Sequence, residues 1–330
     1  MNNPIKAKLP PGNFLEHFTP ATELEQPPFS PMLQGTGSNK LSQISARATV
    51  PDVDAITGVA TFTLEDWELQ MDNYNATKGI RPSTHKLFNA CVIALTANNH
   101  YRGSGGLETT VTLPLEEYMK LCGIPLTKPS KDKTRRRIQE DLETLFLCRL
   151  SWKEKKGKKT EDFSDVRILS SKEIRNGIIR IGFSPEITRY LVGAYVMQFP
   201  KALFAADERN YSTFIIGRKL ALHYSMDSNQ KKGTANIISV KTLLAECRQT
   251  IPSYEQVINS DKRVGDRIVK PLEDALNALD FVTWEYANSK GVPLTDEQLA
   301  DTNYADFIHF YIRFALKDFP DQTARLSAKM

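Results

Sequence analysis

The sequence predicts an α+β chain built from two copies of one domain behind a flexible N-terminal arm. Three observations predict it: a helical run of apolar residues that occurs twice with one spacing, a second helical run that also occurs twice, and alternating residues after it in both halves. Leu115, Tyr118, Met119 and Cys122 fall at i, i+3, i+4 and i+7, and Val240, Leu243, Leu244 and Cys247 repeat that spacing. Residues so spaced share one face of a helix.

The elements follow in the same order in each copy. A helix around residues 85 to 98 in the first copy, and 212 to 226 in the second, precedes a short β-prone run, Thr110 to Leu113 and Asn236 to Ser239. The short helix comes next. Ile138, Leu142, Leu145 and Phe146 then match Ile268, Leu272, Ala275 and Leu276, with Glu143 and Glu273 directly after the leucine, so a second helix buries one stripe in both copies. Alternating runs close each copy: Cys148-Leu150-Trp152 and Ile179-Ile181-Phe183 in the first, Val282-Trp284-Tyr286 and Phe310-Ile312-Phe314 in the second. Helix, strand, helix, helix, strand, strand is the order of a winged helix. The expected organisation is an arm over 1–60, a first winged-helix domain with a linker helix over 61–198, a second over 199–316 and a polar tail over 317–330. Ser184-Pro185 starts the linker helix, with serine as N-cap and proline in the first turn. The arm is rich in Pro, Thr, Ser and Gly, lacks periodicity and is expected outside either core.

Bulk properties exclude several classes. At 330 residues, 41% hydrophobic and 25% charged, the chain has ordinary globular composition, and it holds no apolar run of membrane-spanning length and no signal-peptide core. A cytoplasmic protein without membrane contact is expected. The four cysteines (Cys91, Cys122, Cys148, Cys247) sit singly at apolar positions without CxxC spacing, and read as reduced core residues. The five histidines are scattered, so no metal site or activated nucleophile is expected. Gly103-Ser-Gly-Gly106 lacks the Gly-Lys-Ser/Thr of a phosphate loop and reads as a turn. No cofactor, metal or catalytic residue is expected, and a nickase, which needs a metal-binding histidine pair, is disfavoured.

Charge is focused. Net charge is only +4, yet residues 128 to 159 hold twelve Lys or Arg against five Asp or Glu. Lys131, Lys133, Arg135, Arg136 and Arg137 crowd the start of the helix whose stripe begins at Ile138. Like charges at the positive end of a helix dipole destabilise it unless an anion is expected there, and duplex DNA is that anion. The second helix of a helix-turn-helix enters the major groove, with neighbouring cations on phosphates. A solvated basic face is the competing reading. Lys153, Lys155, Lys156, Lys158 and Lys159 surround Gly157 between two β runs, where a wing tip would touch phosphate or minor groove. In the second copy Lys262, Arg263, Arg267 and Lys270 lie along the corresponding helix, and fewer charges there leave room for base-selective contacts such as arginine to guanine. Pro271 should kink that helix or restart it near Lys270. The two reading helices are expected on successive major grooves.

The tandem order, the Phe183-Ser-Pro-Glu-Ile187 boundary, and Ile251-Pro-Ser-Tyr254 followed by Arg267-Ile-Val-Lys-Pro271 and a tryptophan-bearing strand resemble the iteron-binding plasmid replication initiators. The resemblance covers about residues 80 to 316. It implies that Tyr254 and Arg267 to Pro271 belong to the DNA-binding segment. It also implies binding to directly repeated origin sequences, origin opening with a host initiator and helicase, dimers that repress the protein's own gene, and no catalytic step. The sequence departs from the family at Gly265-Asp266, where a second arginine is usual. A winged-helix transcriptional repressor without a replication role is the alternative.

Overall fold

A computed structural model describes residues 28–34, 51–64, 67–74, 79–100, 107–156, 159–192, 195–248, 250–260, 263–300 and 303–319. The chain divides into two compact units, one within Ser30–Val196 and one within Met197–Met330 that also takes in Pro27–Phe29.

The first unit holds β1 (Asp52–Val53), β2 (Ala60–Leu64), β3 (Trp67–Met71), α1 (Pro82–His100), β4 (Thr110–Pro114), α2 (Leu115–Leu121), α3 (Lys128–Leu147), β5 (Cys148–Lys156), β6 (Lys159–Arg167), β7 (Leu169–Arg175), β8 (Ile178–Phe183) and α4 (Pro185–Val192). Helix α1 is buried nearly all round. Leu87, Phe88, Ala90, Cys91, Val92, Ile93, Ala94 and Leu95 are all buried, as a helix packed on several sides must be. Strands β4, β8 and β7 form an antiparallel sheet in that order. Ile179, Ile181 and Phe183 of the central strand point inward by the two-residue period of a strand. The β7–β8 turn passes through Asn176 and Gly177, both with positive φ (51° and 72°), the geometry of a tight hairpin. Gly182 faces the bulge at the start of β7, where a Cβ would lie 2.6 Å from Ser171 Oγ.

A second, five-stranded sheet of order β1-β2-β3-β5-β6 completes this unit. It corrects the alignment of the two copies made from sequence. Cys148, Leu150 and Trp152 do not form the counterpart of Val282-Trp284-Tyr286; they pair with Met71, Leu69 and Trp67 of β3, and the Trp67 and Trp152 rings stack at 5.0 Å. Alternation marked a strand correctly but could not say which sheet takes it. The true counterpart is β7, and β5–β6 is a hairpin inserted between α3 and the wing. Segment β2–β3 joins the first unit through the pairing of β3 with β5.

The second unit holds α5 (Tyr211–Ser225), α6 (Asp227–Lys232), β9 (Ile237–Ser239), α7 (Val240–Glu246), α8 (Tyr254–Ser260), a π-helical turn over Gly265–Val269, α9 (Lys270–Asn277), β10 (Val282–Ala287), α10 (Asp296–Ala300) and β11 (Tyr311–Leu316). The sheet order β9-β11-β10 repeats β4-β8-β7, with the last strand of the copy in the middle both times. The fold is therefore α+β with two winged helices. Two residues assigned to arm and tail lie in this core: Phe29 is 2% exposed and meets Phe281 edge-on at 6.3 Å, and Phe319 packs against Phe29 at 5.0 Å and Tyr224 at 4.6 Å. Aromatic rings so placed bury too much surface to be left in solvent. All four cysteines are free thiols; burial pushes Cys91 and Cys148 up to about 12.

Candidate nucleic-acid interface

Helix α2 ends in a Schellman turn. The N–H of Ile124 donates to Met119 O and that of Gly123 to Lys120 O, with Gly123 in the left-handed conformation (φ 65°) that a side chain would strain. Four residues later Thr127 opens α3, with Pro129 in its first turn. The 20-residue helix starts well before its apolar stripe, so the cations fill its first three turns. Thr134, Ile138, Asp141, Leu142 and Leu145 form the buried face. At about 100° per residue this puts Lys133, Arg136 and Glu140 on the opposite face, with Arg135 and Arg137 on the flanks. Lys133, Arg135 and Arg136 are exposed and have no ion-pair partner among the described residues. Lys131 is instead tied to Glu116 of α2 at 2.5 Å, and that hydrogen bond holds the Glu116 carboxyl below its ordinary value. Arg137 is half-buried.

What fixes α3 against the unit was not legible beforehand. Asp141 is 1% exposed and accepts from Ser83 Oγ (3.0 Å), Thr84 Oγ1 (2.6 Å) and Arg81 Nη2 (3.0 Å). Arg81 Nη1 also donates to Glu140 Oε2 at 2.7 Å. Burial raises the Asp141 pKa, while Thr84, Ser83 and Arg81 pull the other way. The Arg81-Pro-Ser-Thr84 start of α1 was the only sequence signal for this network. Farther along, Glu143 binds Lys172 of β7, and in the second unit Glu273 accepts from Tyr286 of β10 at 3.0 Å. In both copies the glutamate after the helix leucine therefore ties the helix to the edge strand of its wing sheet.

Lys153, Lys155, Lys156 and Lys159 lie on the β5–β6 hairpin, where Lys156 pairs with Lys159, and Lys158 falls outside the described residues. This is a correction to their expected place. The basic run caps the inserted hairpin, whereas the wing of the first unit ends at Asn176-Gly177 and carries Lys172, Arg175 and Arg180.

In the second unit Ser239 caps α7, accepting from Thr242 N at 3.2 Å. The helix that corresponds to α3 restarts at Lys270, as Pro271 required, after a π turn in which the N–H of Lys270 reaches back to Gly265 O. Arg263, Arg267 and Lys270 are exposed, Lys270 beside Asp274 at 3.5 Å; Lys262 lies outside the described residues. Tyr254 is corrected: it is 7% exposed and its hydroxyl donates to the Tyr304 carbonyl, so its ring packs inside the unit instead of facing a ligand. No group of three or more His, Cys, Asp or Glu among the described residues could hold a metal ion, and no described helix is long and apolar enough to cross a membrane.

Two winged helices, one with an exposed cationic second helix, define a tandem winged-helix protein. Residues 63–211 match the family described as "Initiator Replication protein, WH1". The matched segment takes in most of the inserted sheet, from within β2 onward, and the whole first winged helix. Similar solved structures include the Pi initiator protein in complex with iteron DNA (12% identity, 78% of this chain and 100% of that one, TM-score 0.43). Domains 2 and 3 of RctB appear twice, as selenomethionine derivatives (12% identity, 85% and 96%, TM-score 0.41) and in a further crystal structure (10% identity, 87% and 98%, TM-score 0.38). A search of curated proteins finds no match.

Proposed function

We propose that the chain binds double-stranded DNA at directly repeated origin sequences and thereby initiates replication of a plasmid or mobile element. One observation carries the reading: in a segment that matches the initiator replication family, the second helix of the helix-turn-helix exposes Lys133, Arg135 and Arg136. Phosphate neutralisation by such a helix supplies affinity and sets orientation, while groove contacts supply sequence. In this reading the domains run over 61–198 and 199–316, the inserted hairpin adds Lys153, Lys155, Lys156, Lys158 and Lys159 as phosphate contacts, and Lys262, Arg263, Arg267 and Lys270 read the second site. A host initiator and helicase open the origin, the chain self-associates as a dimer that represses its own gene, and the complex forms in the cytoplasm. No covalent step by the chain itself is required.

The test is binding of the full chain to a duplex carrying the direct repeats beside its gene, and to a scrambled duplex, between about 50 and 200 mM salt, the range over which phosphate-driven binding changes by orders of magnitude. Tighter binding to the repeats, with a steep negative salt slope on both duplexes, is expected. Equal affinity for both would sink the reading, and preference for a lone palindrome would point to a repressor.

A further inference from the structure

The outer face of α3 presents the row Lys133, Arg136 and Glu140, spanning eight residues or about 10 Å of helix. Two cations in that row suit phosphate; the carboxylate does not, because DNA repels it. Its side chain is 62% exposed, so folding does not put it there for burial. A stabilising ion pair is a weak reason too. Arg81 is already fixed by Asp141, and an exposed pair adds only about 0–1 kcal/mol.

We propose that Glu140 reads a base, accepting a hydrogen bond from the exocyclic amine of a cytosine in the major groove, and that Arg81 is the positioning residue that aims its carboxylate. The inference rests on the DNA-binding reading above and names one element of its specificity. Cytosine is the base that offers a lone donor in the major groove; adenine sets the N7 acceptor beside its amine, and guanine shows two acceptors, both of which repel a carboxylate. The geometry leaves Glu140 equipped for one such bond. Its Oε2 accepts from Arg81 Nη1 at 2.7 Å, and Oε1 has no partner among the described residues. Arg81 is itself held by the buried Asp141, which Ser83 and Thr84 anchor, so a continuous chain of hydrogen bonds runs from the start of α1 to the carboxylate. Locked supporting groups of this kind make a contact selective.

The experiment selects from a pool of duplexes randomised over 20 base pairs and sequences what the full chain binds, for wild type, Glu140→Gln, Glu140→Ala and Arg81→Gln. Glu140→Gln retains a partner for Arg81 and controls for folding. Wild type should enrich C·G at one position; Glu140→Ala should lose that preference by about tenfold and keep the rest of the consensus, and Glu140→Gln should move it to A·T, the pairing glutamine favours. Arg81→Gln should weaken the same position and no other. A consensus unchanged in Glu140→Ala, or affinity rising equally for every sequence as a repelling charge is removed, would overturn the proposal while leaving origin binding intact. Absence of any consensus in wild type would overturn both, with salt-dependent binding then marking a nonspecific protein.

Discussion

Asp141 accepts three hydrogen bonds from the start of α1 while carrying a charge out of water. Burial raises its pKa, so the folded chain holds this proton to higher pH than the unfolded one. The sign follows: the contribution is full below the ordinary value of 3.8 and is lost as pH rises through the raised folded value, so at neutral pH the carboxylate is kept for its acceptor geometry and not for net electrostatic gain. Asp141→Ala leaves the buried Ser83 and Thr84 hydroxyls without an acceptor and should cost at least about 2 kcal/mol, within the range for unsatisfied buried groups. Asp141→Asn keeps an oxygen in place and should cost less. Urea unfolding midpoints of the two variants separate these outcomes; equal losses would show that the charge, and not the acceptor, holds α3.

At the scale of elements, two features of α5 bear on the second winged helix. Gly217 sits where a Cβ would lie 2.6 Å from Leu203 Cδ2 and 2.8 Å from Leu279 Cδ2. Gly217→Ala would gain up to about 1 kcal/mol of helix propensity, but overpacking costs about 1–3 kcal/mol. Net destabilisation in thermal melts is expected, and a raised Tm would show that the contact relaxes freely. At the end of the same helix His223 Nε2 reaches the carbonyls of Thr234 and Ile237, at 3.0 and 2.9 Å, where the chain leaving α6 enters β9. Burial lowers its pKa below 6.5 and outweighs those carbonyls, so its contribution is present above 6.5 and is lost as pH falls through the folded value. Melting temperature should therefore drop on acidification below 6.5 in wild type and drop less in His223→Gln; identical profiles would assign the effect to another group. Much of this architecture was legible, because helices and strands write their period into the chain. Ile138, Leu142 and Leu145 gave α3 its stripe, and Pro271 gave the restart at Lys270. The inserted sheet was not legible, since Trp67, Leu69 and Met71 choose Trp152, Leu150 and Cys148 across the whole of α1, β4, α2 and α3, and no local pattern records that choice. Tyr254 failed for a related reason: a tyrosine near a basic run looks the same whether its hydroxyl faces a ligand or, as here, the carbonyl of Tyr304.

For the whole molecule, the two cationic helices differ in kind. Helix α3 is continuous and exposes Lys133, Arg135 and Arg136, whereas its counterpart in the second unit is interrupted by a π turn and sets Arg267 and Lys270 among Asp266 and Asp274. Bulk attraction should thus come mainly from the first unit and discrimination mainly from the second. Replacing Arg135 and Arg136 with Ala should weaken binding to every duplex and flatten the salt slope by up to about 2, roughly one per lost phosphate contact. Arg267→Ala or Arg263→Ala should instead cost about 1–3 kcal/mol on the repeats and little on scrambled DNA. Energies at independent sites add. A chain combining Arg135→Ala, Arg136→Ala and Arg267→Ala should therefore show the summed loss on the repeats if both units engage one duplex at once. Should the triple variant bind the repeats no more weakly than the weaker of its parents, the units act on separate duplexes, and an equal loss from Arg267→Ala on repeat and scrambled DNA would remove the second unit from base reading altogether.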